Sequence, residues 1–233
     1  AVGTVLHGWP IETRDGFVVG DNVGTVHAYD FDGALRWRTS LGDLTRPLLF
    51  NSGITPWTGI AQLKSPDADL VVTDKAGQVS ALRSDGTIVW QVHTTESADF
   101  QCIGKPAVAD LDGDGFDEII VSAYNGKAYC IGSDGGYRWS RDVMHAEGGY
   151  HSPFIMDWGE GPRVFMVGSR QGRIHCLNPD GIDVWTFDSG GAIGVHSGIS
   201  PVLVNGAWHI LIVHDKSGQF LLTTSGETVW SKW

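Results

Sequence analysis

Five tryptophans, Trp37, Trp90, Trp139, Trp185 and Trp230, recur at intervals of 53, 49, 46 and 45 residues. A glycine precedes each: Gly24, Gly77, Gly126, Gly172 and Gly218, at gaps of 13, 13, 13, 13 and 12 residues. A period of this size means one supersecondary unit copied along the chain, because a single unit cannot bury its own apolar face. Between glycine and tryptophan run alternating apolar residues, a tight turn and a second short strand. The turns are Asp32-Gly33, Asp85-Gly86, Asp134-Gly135, Asp180-Gly181 and Ser225-Gly226. Asp-Gly between alternating hydrophobics predicts a hairpin, since the glycine supplies the positive φ that the turn needs.

Ahead of each glycine lies another apolar strand: Phe17-Val18-Val19, Leu70-Val71-Val72, Glu118 to Val121, Val164 to Val167, and His209 to Val213. A further strand precedes it at Gly59 to Leu63, Pro106 to Ala109, Pro153 to Met156 and Pro201 to Val204, while the first unit offers Trp9 to Glu12. Four short antiparallel strands, A to D, at a period of about 45–50 residues predict the blades of a β-propeller. No segment carries a 3.6-residue period, so little helix is expected. The fold expected is all-β, a single propeller domain over residues 1–233 with five four-stranded blades at about 9–43, 44–95, 96–148, 149–192 and 193–233. Thr4 to Trp9 aligns with Thr228 to Trp233, so residues 1–8 are read as an extra outer strand. The ring is read as closed on five blades, the alternative being part of a larger propeller.

One A–B connection is unlike the rest. Asp110-Leu111-Asp112-Gly113-Asp114-Gly115-Phe116-Asp117-Glu118 packs five carboxylates into nine residues on two glycines. Such a cluster repels itself unless a cation neutralises it, and hard oxygen ligands at alternating positions suit Ca²⁺. An EF-hand would carry glutamate at the twelfth place, which is Val121 here. The loop therefore belongs between strands, and its expected role is structural. In the second unit Gln62 and Lys64 stand where Asp110 and Asp112 do, and the fourth keeps only Asp157. One such site is predicted.

The unit Gly-x-Val-x-Ala-x-x-x-Asp-Gly-x-x-x-Trp resembles the blade of PQQ-like propellers, the repeats of quinoprotein dehydrogenases and of the outer-membrane assembly lipoprotein. The stretch from Asp110 to Glu118 resembles the calcium loop of FG-GAP/VCBS repeats. That second resemblance implies ligation by the side chains of Asp110, Asp112 and Asp114, the carbonyl of Phe116, and Glu118 at the ninth place. Asp117 would point outward or to a water. The resemblance implies fold and metal loop; activity does not follow from a fold with so many functions.

The five repeat tryptophans are expected to pack between blades. Trp57, Trp158 and Trp208 lie off the repeat and are candidates for a stacking platform. His27 and His175 share one repeat position, which favours a structural role. Of the three cysteines, Cys130 and Cys176 fall where other repeats have alanine, so they read as small buried side chains.

A net charge of −11 argues against a nucleic-acid partner. No apolar run reaches the roughly 18 residues of a membrane span, and no leader is visible at Ala1. The D–A connections deliver Arg46, Lys105 and His151 to one mouth of the channel, with His145, Tyr150 and His196 nearby. In an acidic protein such a ring is a local positive focus for an anion. Two functions follow. The first is a non-catalytic, calcium-stabilised binding or assembly module, its partner an anionic glycan or a protein at the channel mouth. The alternative is a propeller-type polysaccharide lyase acting on uronic glycans, with Arg46 neutralising the carboxylate and Tyr150, His151 and His196 supplying base and acid. No vicinal cysteine pair supports a quinoprotein dehydrogenase. Calcium loops of this kind suit extracellular or periplasmic conditions, where free Ca²⁺ is plentiful.

Overall fold

The computed structural model describes residues 6–21, 24–41, 59–74, 77–94, 102–123, 125–143, 152–168, 172–190, 198–213 and 218–232. They form twenty strands and, among the described residues, no helix. The first sheet holds β1 (Leu6–Thr13), β2 (Gly16–Asp21), β3 (Thr25–Tyr29) and β4 (Leu35–Ser40). The second holds β5 (Gly59–Gln62), β6 (Leu70–Thr73), β7 (Gln78–Leu82) and β8 (Ile88–His93). The third holds β9 (Cys102–Ala109), β10 (Glu118–Ala123), β11 (Lys127–Ile131) and β12 (Tyr137–Asp142). The fourth holds β13 (Phe154–Asp157), β14 (Pro162–Gly168), β15 (Arg173–Leu177) and β16 (Asp183–Asp188). The fifth holds β17 (Gly198–Val204), β18 (Ala207–Val213), β19 (Gln219–Thr223) and β20 (Thr228–Lys232). Each sheet is a meander in chain order, and every neighbouring pair is antiparallel. This is the blade predicted from the repeat, five times over.

The sequence pattern explains the layering. In the first three sheets the second and third strands are buried almost throughout, as continuous runs such as Glu118–Ala123 show, whereas β18 of the fifth buries only Ile210 and Ile212. Fourth strands alternate half-buried with exposed residues, which marks a sheet edge wet on one side. The cores form between neighbouring sheets: Ile119 and Ile131 share a cluster with Val71 and Leu82, while Cys130 shares one with Val164 and Leu177. Cys130 and Cys176 are buried free thiols opposite Trp139 and Trp185, in the register that Ala28 and Ala81 hold opposite Trp37 and Trp90. At these four positions the large indole faces a small side chain, while Leu221 stands opposite Trp230.

The Asp-Gly hairpins show a finer feature. Only the glycine has positive φ, for example Gly86 at 87° and Gly181 at 76°, while the preceding residue does not. The glycine N–H donates to the carbonyl three residues back, as Gly86 does to Arg83, and a register shift follows between Ala81 and Leu82. This is a type I turn closed by a glycine bulge, which strengthens the local twist.

Sheets are joined by one repeated clasp. The Nε1–H of Trp37, Trp90, Trp139 and Trp185 donates to the carbonyl of Ser84, Ser133, Pro179 and Thr224 in the next sheet's last turn, at 2.8, 3.0, 2.7 and 2.9 Å. Each indole lies on the glycine two residues further on. Among the described residues the fifth clasp, Trp230 on Gly33, is not made. Nothing stands within 4 Å of a Cβ built on Gly33, Phe31 beside it is 66% exposed, and Trp230 is 36% exposed. The start of the chain departs from expectation. Residues 6–8 belong to β1: Leu6 and His7 pair with Asp21 and Gly20 of β2, across a register shift from the Ile11–Val18 pairing, and are no outer strand of a preceding blade. Pairing with β2 satisfies β1's backbone groups, which an isolated outer strand would leave open.

Candidate metal and ligand sites

The acidic loop closes the β9–β10 hairpin, where Ala109 pairs with Glu118. Gly113 and Gly115 take φ of 82° and 91°, so the chain can fold back twice within eight residues. The carboxylates shape the loop by accepting its own amides. Asp110 Oδ1 and Oδ2 accept Gly113 N–H and Gly115 N–H at 2.7 and 2.9 Å. Asp112 accepts Asp114 N–H at 3.0 Å, and Asp114 accepts Phe116 N–H at 2.7 Å.

Glu118 completes the arrangement from the first position of β10. One carboxylate oxygen from each of Asp110, Asp112 and Glu118 lies within 4.8 Å of the others. Glu118 is only 3% exposed; its Oε2 accepts Leu111 N–H at 2.9 Å, and its Oε1 is buried with no hydrogen-bond partner. Burial pushes this carboxyl above the usual glutamate value, the charges of Asp112 and Asp114 pushing the same way. A buried carboxylate oxygen without a donor is costly unless a cation or a proton meets it. Asp114 stands on the same loop but outside this mutual set of three.

Asp117 contradicts its expected outward orientation. Its N–H donates to Lys64 O at 2.8 Å, and its Oδ2 accepts Lys64 N–H at 2.6 Å. The loop of the third sheet is thereby tied to the A–B turn of the second. A partner 53 residues away in sequence leaves no local signal. The equivalent turn in the fourth sheet is self-capped: Asp157 accepts the amides of Gly159 and Gly161, and the Arg163 guanidinium lies 5.7 Å from the Trp158 ring. Trp158 also packs on Phe165, so it is no free platform; Trp208 is exposed. Trp57 lies outside the described residues.

Of the ligand-face candidates, Arg46, His145, Tyr150, His151 and His196 lie outside the described residues. Lys105 is exposed on β9, and its N–H donates to Ser152 Oγ at 2.8 Å. It borders a cavity of about 660 Å³ lined by the first strands of four sheets, among them Glu12, Gln62 and Phe154. His27 and His175 are held by Asp21 and Asp183 at 2.9 and 2.8 Å. Asp183 also pairs with Arg141, whose guanidinium reaches Gly181 O at 2.6 Å across the sheet boundary. Thr39 makes the corresponding contact to Gly86 O at 2.6 Å. Both follow a repeat tryptophan by two residues, a spacing that could have revealed them in sequence.

Residues 69–146 match the family of lambda-carrageenase β-propeller domains. That stretch runs from the second sheet through the acidic loop to the end of the third. Among solved structures, the chain is similar to BamB from Moraxella catarrhalis, with 16% identity over 96% of this chain and 62% of that one and a TM-score of 0.64. It is similar to quinohemoprotein alcohol dehydrogenase from Comamonas testosteroni, with 16% identity, 98% and 43% coverage and a TM-score of 0.70. A europium-containing methanol dehydrogenase gives 14% identity, 98% and 51% coverage and a TM-score of 0.64. The chain thus spans less than two thirds of these propellers. At such identities the likeness establishes the β-propeller fold alone. No curated protein sequence matches.

Proposed function

We propose that this chain is a non-catalytic β-propeller binding module, stabilised by one Ca²⁺ in the loop of the third blade, that takes an anionic glycan at the channel mouth. Two observations support the metal: Glu118 Oε1 is buried without a donor, and one carboxylate oxygen each of Asp110, Asp112 and Glu118 lies within 4.8 Å of the others. Asp110, Asp112 and Glu118 would hold the ion, with Asp114 and the Phe116 carbonyl as the further oxygens of an irregular oxygen shell. The ion supplies charge neutralisation and cross-links the two ends of the loop. No reaction is routed through it. Supply of Ca²⁺ places the reading in the extracellular or periplasmic space.

The glycan is supported by two points. Lys105 brings a cation to the cavity between the first strands of four sheets in an acidic protein. The matching family is named for a carrageenase, an enzyme that by its name acts on a polysaccharide. Equilibrium binding to a panel of sulfated and uronic oligosaccharides tests the reading. It predicts binding that Lys105→Ala weakens, with no new absorbance near 235 nm. A rise there would identify the lyase instead, and no binding across the panel would remove the glycan.

A further inference from the structure

We infer that the cleft between the first and second sheets is a second binding site, for an anionic oligosaccharide, with its wall set by the acidic loop; the inference rests on the glycan-binding reading and adds a place to it. The cleft encloses about 770 Å³ between the turn that carries Arg14 and the turn that carries Lys64. That is within the range of sites for bound organic ligands and far more than one inorganic anion fills.

Its charges are unevenly committed. The acids in its wall are engaged: Asp15 faces Arg36 at 3.4 Å, Asp69 accepts Ser84 N–H at 2.6 Å, and Asp117 accepts Lys64 N–H at 2.6 Å. Arg14 and Lys64 are exposed and have no ionic partner among the described residues. Two free cations beside satisfied carboxylates favour an anion. Trp37, half-buried and already laid on Gly86, adds apolar surface to the same wall.

The cleft is tied to the metal loop. Lys64 is fixed from behind by both backbone contacts of Asp117, and Asp117 directly precedes Glu118. An ion that orders the loop therefore orders the wall that presents Lys64, and linkage makes the two binding events mutually favourable.

Calorimetry on the full chain tests this with a heparin-derived tetrasaccharide, tetragalacturonate, neutral cellotetraose and sodium sulfate. Either charged tetrasaccharide binds, and the comparison between them separates sulfate from carboxylate recognition; cellotetraose and sulfate alone do not bind. Arg14→Ala with Lys64→Ala weakens binding by about tenfold or more at low salt, as expected for the loss of two partly exposed charge contacts. Arg173→Ala, on the fourth sheet, leaves binding unchanged. Removing Ca²⁺ weakens binding in the wild type and has no effect in Asp117→Ala. Equal affinity in the Arg14/Lys64 double variant, or equal binding of cellotetraose, overturns the cleft. Binding lost only in Lys105→Ala overturns the cleft while leaving the channel-mouth reading intact.

Discussion

Trp139 lays its indole over Gly181 of the following sheet so closely that a Cβ on that glycine would stand 2.7 Å from Cδ2. Gly33 occupies the same turn of the first sheet, at a φ of 83° against 76° for Gly181, and has open space where its Cβ would be. The pair separates two costs that usually come together. Gly33→Ala carries the left-handed backbone cost alone, about 1–2 kcal/mol. Gly181→Ala adds displacement of a packed indole and its hydrogen bond, a further 1–3 kcal/mol or about that. Urea unfolding of the two variants checks the difference. Equal destabilisation would mean that the clasp contributes nothing to the joint between blades.

Asp117 joins two blades through both backbone groups of Lys64. Asp117→Ala removes one of those bonds at an exposed amide that water can reach, so a loss of about 0.5–1.5 kcal/mol is expected. Hydrogen exchange should quicken at the Lys64 amide while amides inside β15 stay protected. Unchanged exchange at Lys64 would show that the contact is not maintained in solution.

Glu118 makes the metal-free protein sensitive to pH. Its carboxyl sits above the ordinary glutamate value of 4.5, chiefly through burial. Between that value and its raised value in the fold, the unfolded chain has lost the proton and the folded chain keeps it. Stability of the metal-free protein therefore falls as pH rises through this window. Glu118→Gln should flatten that fall. Urea midpoints measured from pH 4.5 to 7 in EDTA, for wild type and variant, provide the comparison, and parallel curves would contradict it.

Cys130 and Cys176 have their thiols pushed up to about 12, burial being the first cause. At pH 8 the reactive thiolate is scarce and the sulfur is inaccessible. Iodoacetamide should leave both unmodified in the native protein and label both in guanidinium. Native labelling of Cys130 would contradict the packing described opposite Trp139.

The strands were legible because short apolar runs bounded by turn residues recur, and every blade repeats its neighbour. Local spacing also revealed the acidic loop and Cys130 and Cys176 as small buried side chains at a repeat position. What could not be read depends on contacts between distant segments. Asp117's partner lies in another blade, and whether Trp230 meets Gly33 is likewise a contact between the two ends of the chain. Residues 6–8 were misplaced for a related reason: Thr4 to Trp9 resembles an outer strand in sequence, but pairing with β2 decides its position. Lys105 alone of the ligand-face candidates is described, and it lines a cavity with the first strands of four sheets.

The account turns on whether the loop from Asp110 to Glu118 holds calcium. Thermal unfolding of the chelator-stripped protein, with and without added Ca²⁺, tests it most directly. The account predicts a melting temperature that rises with Ca²⁺ concentration as the ion binds the folded state, a rise lost in Asp112→Ala and in Glu118→Gln. A melting temperature that does not move with Ca²⁺, in protein shown to be metal-free, would contradict it.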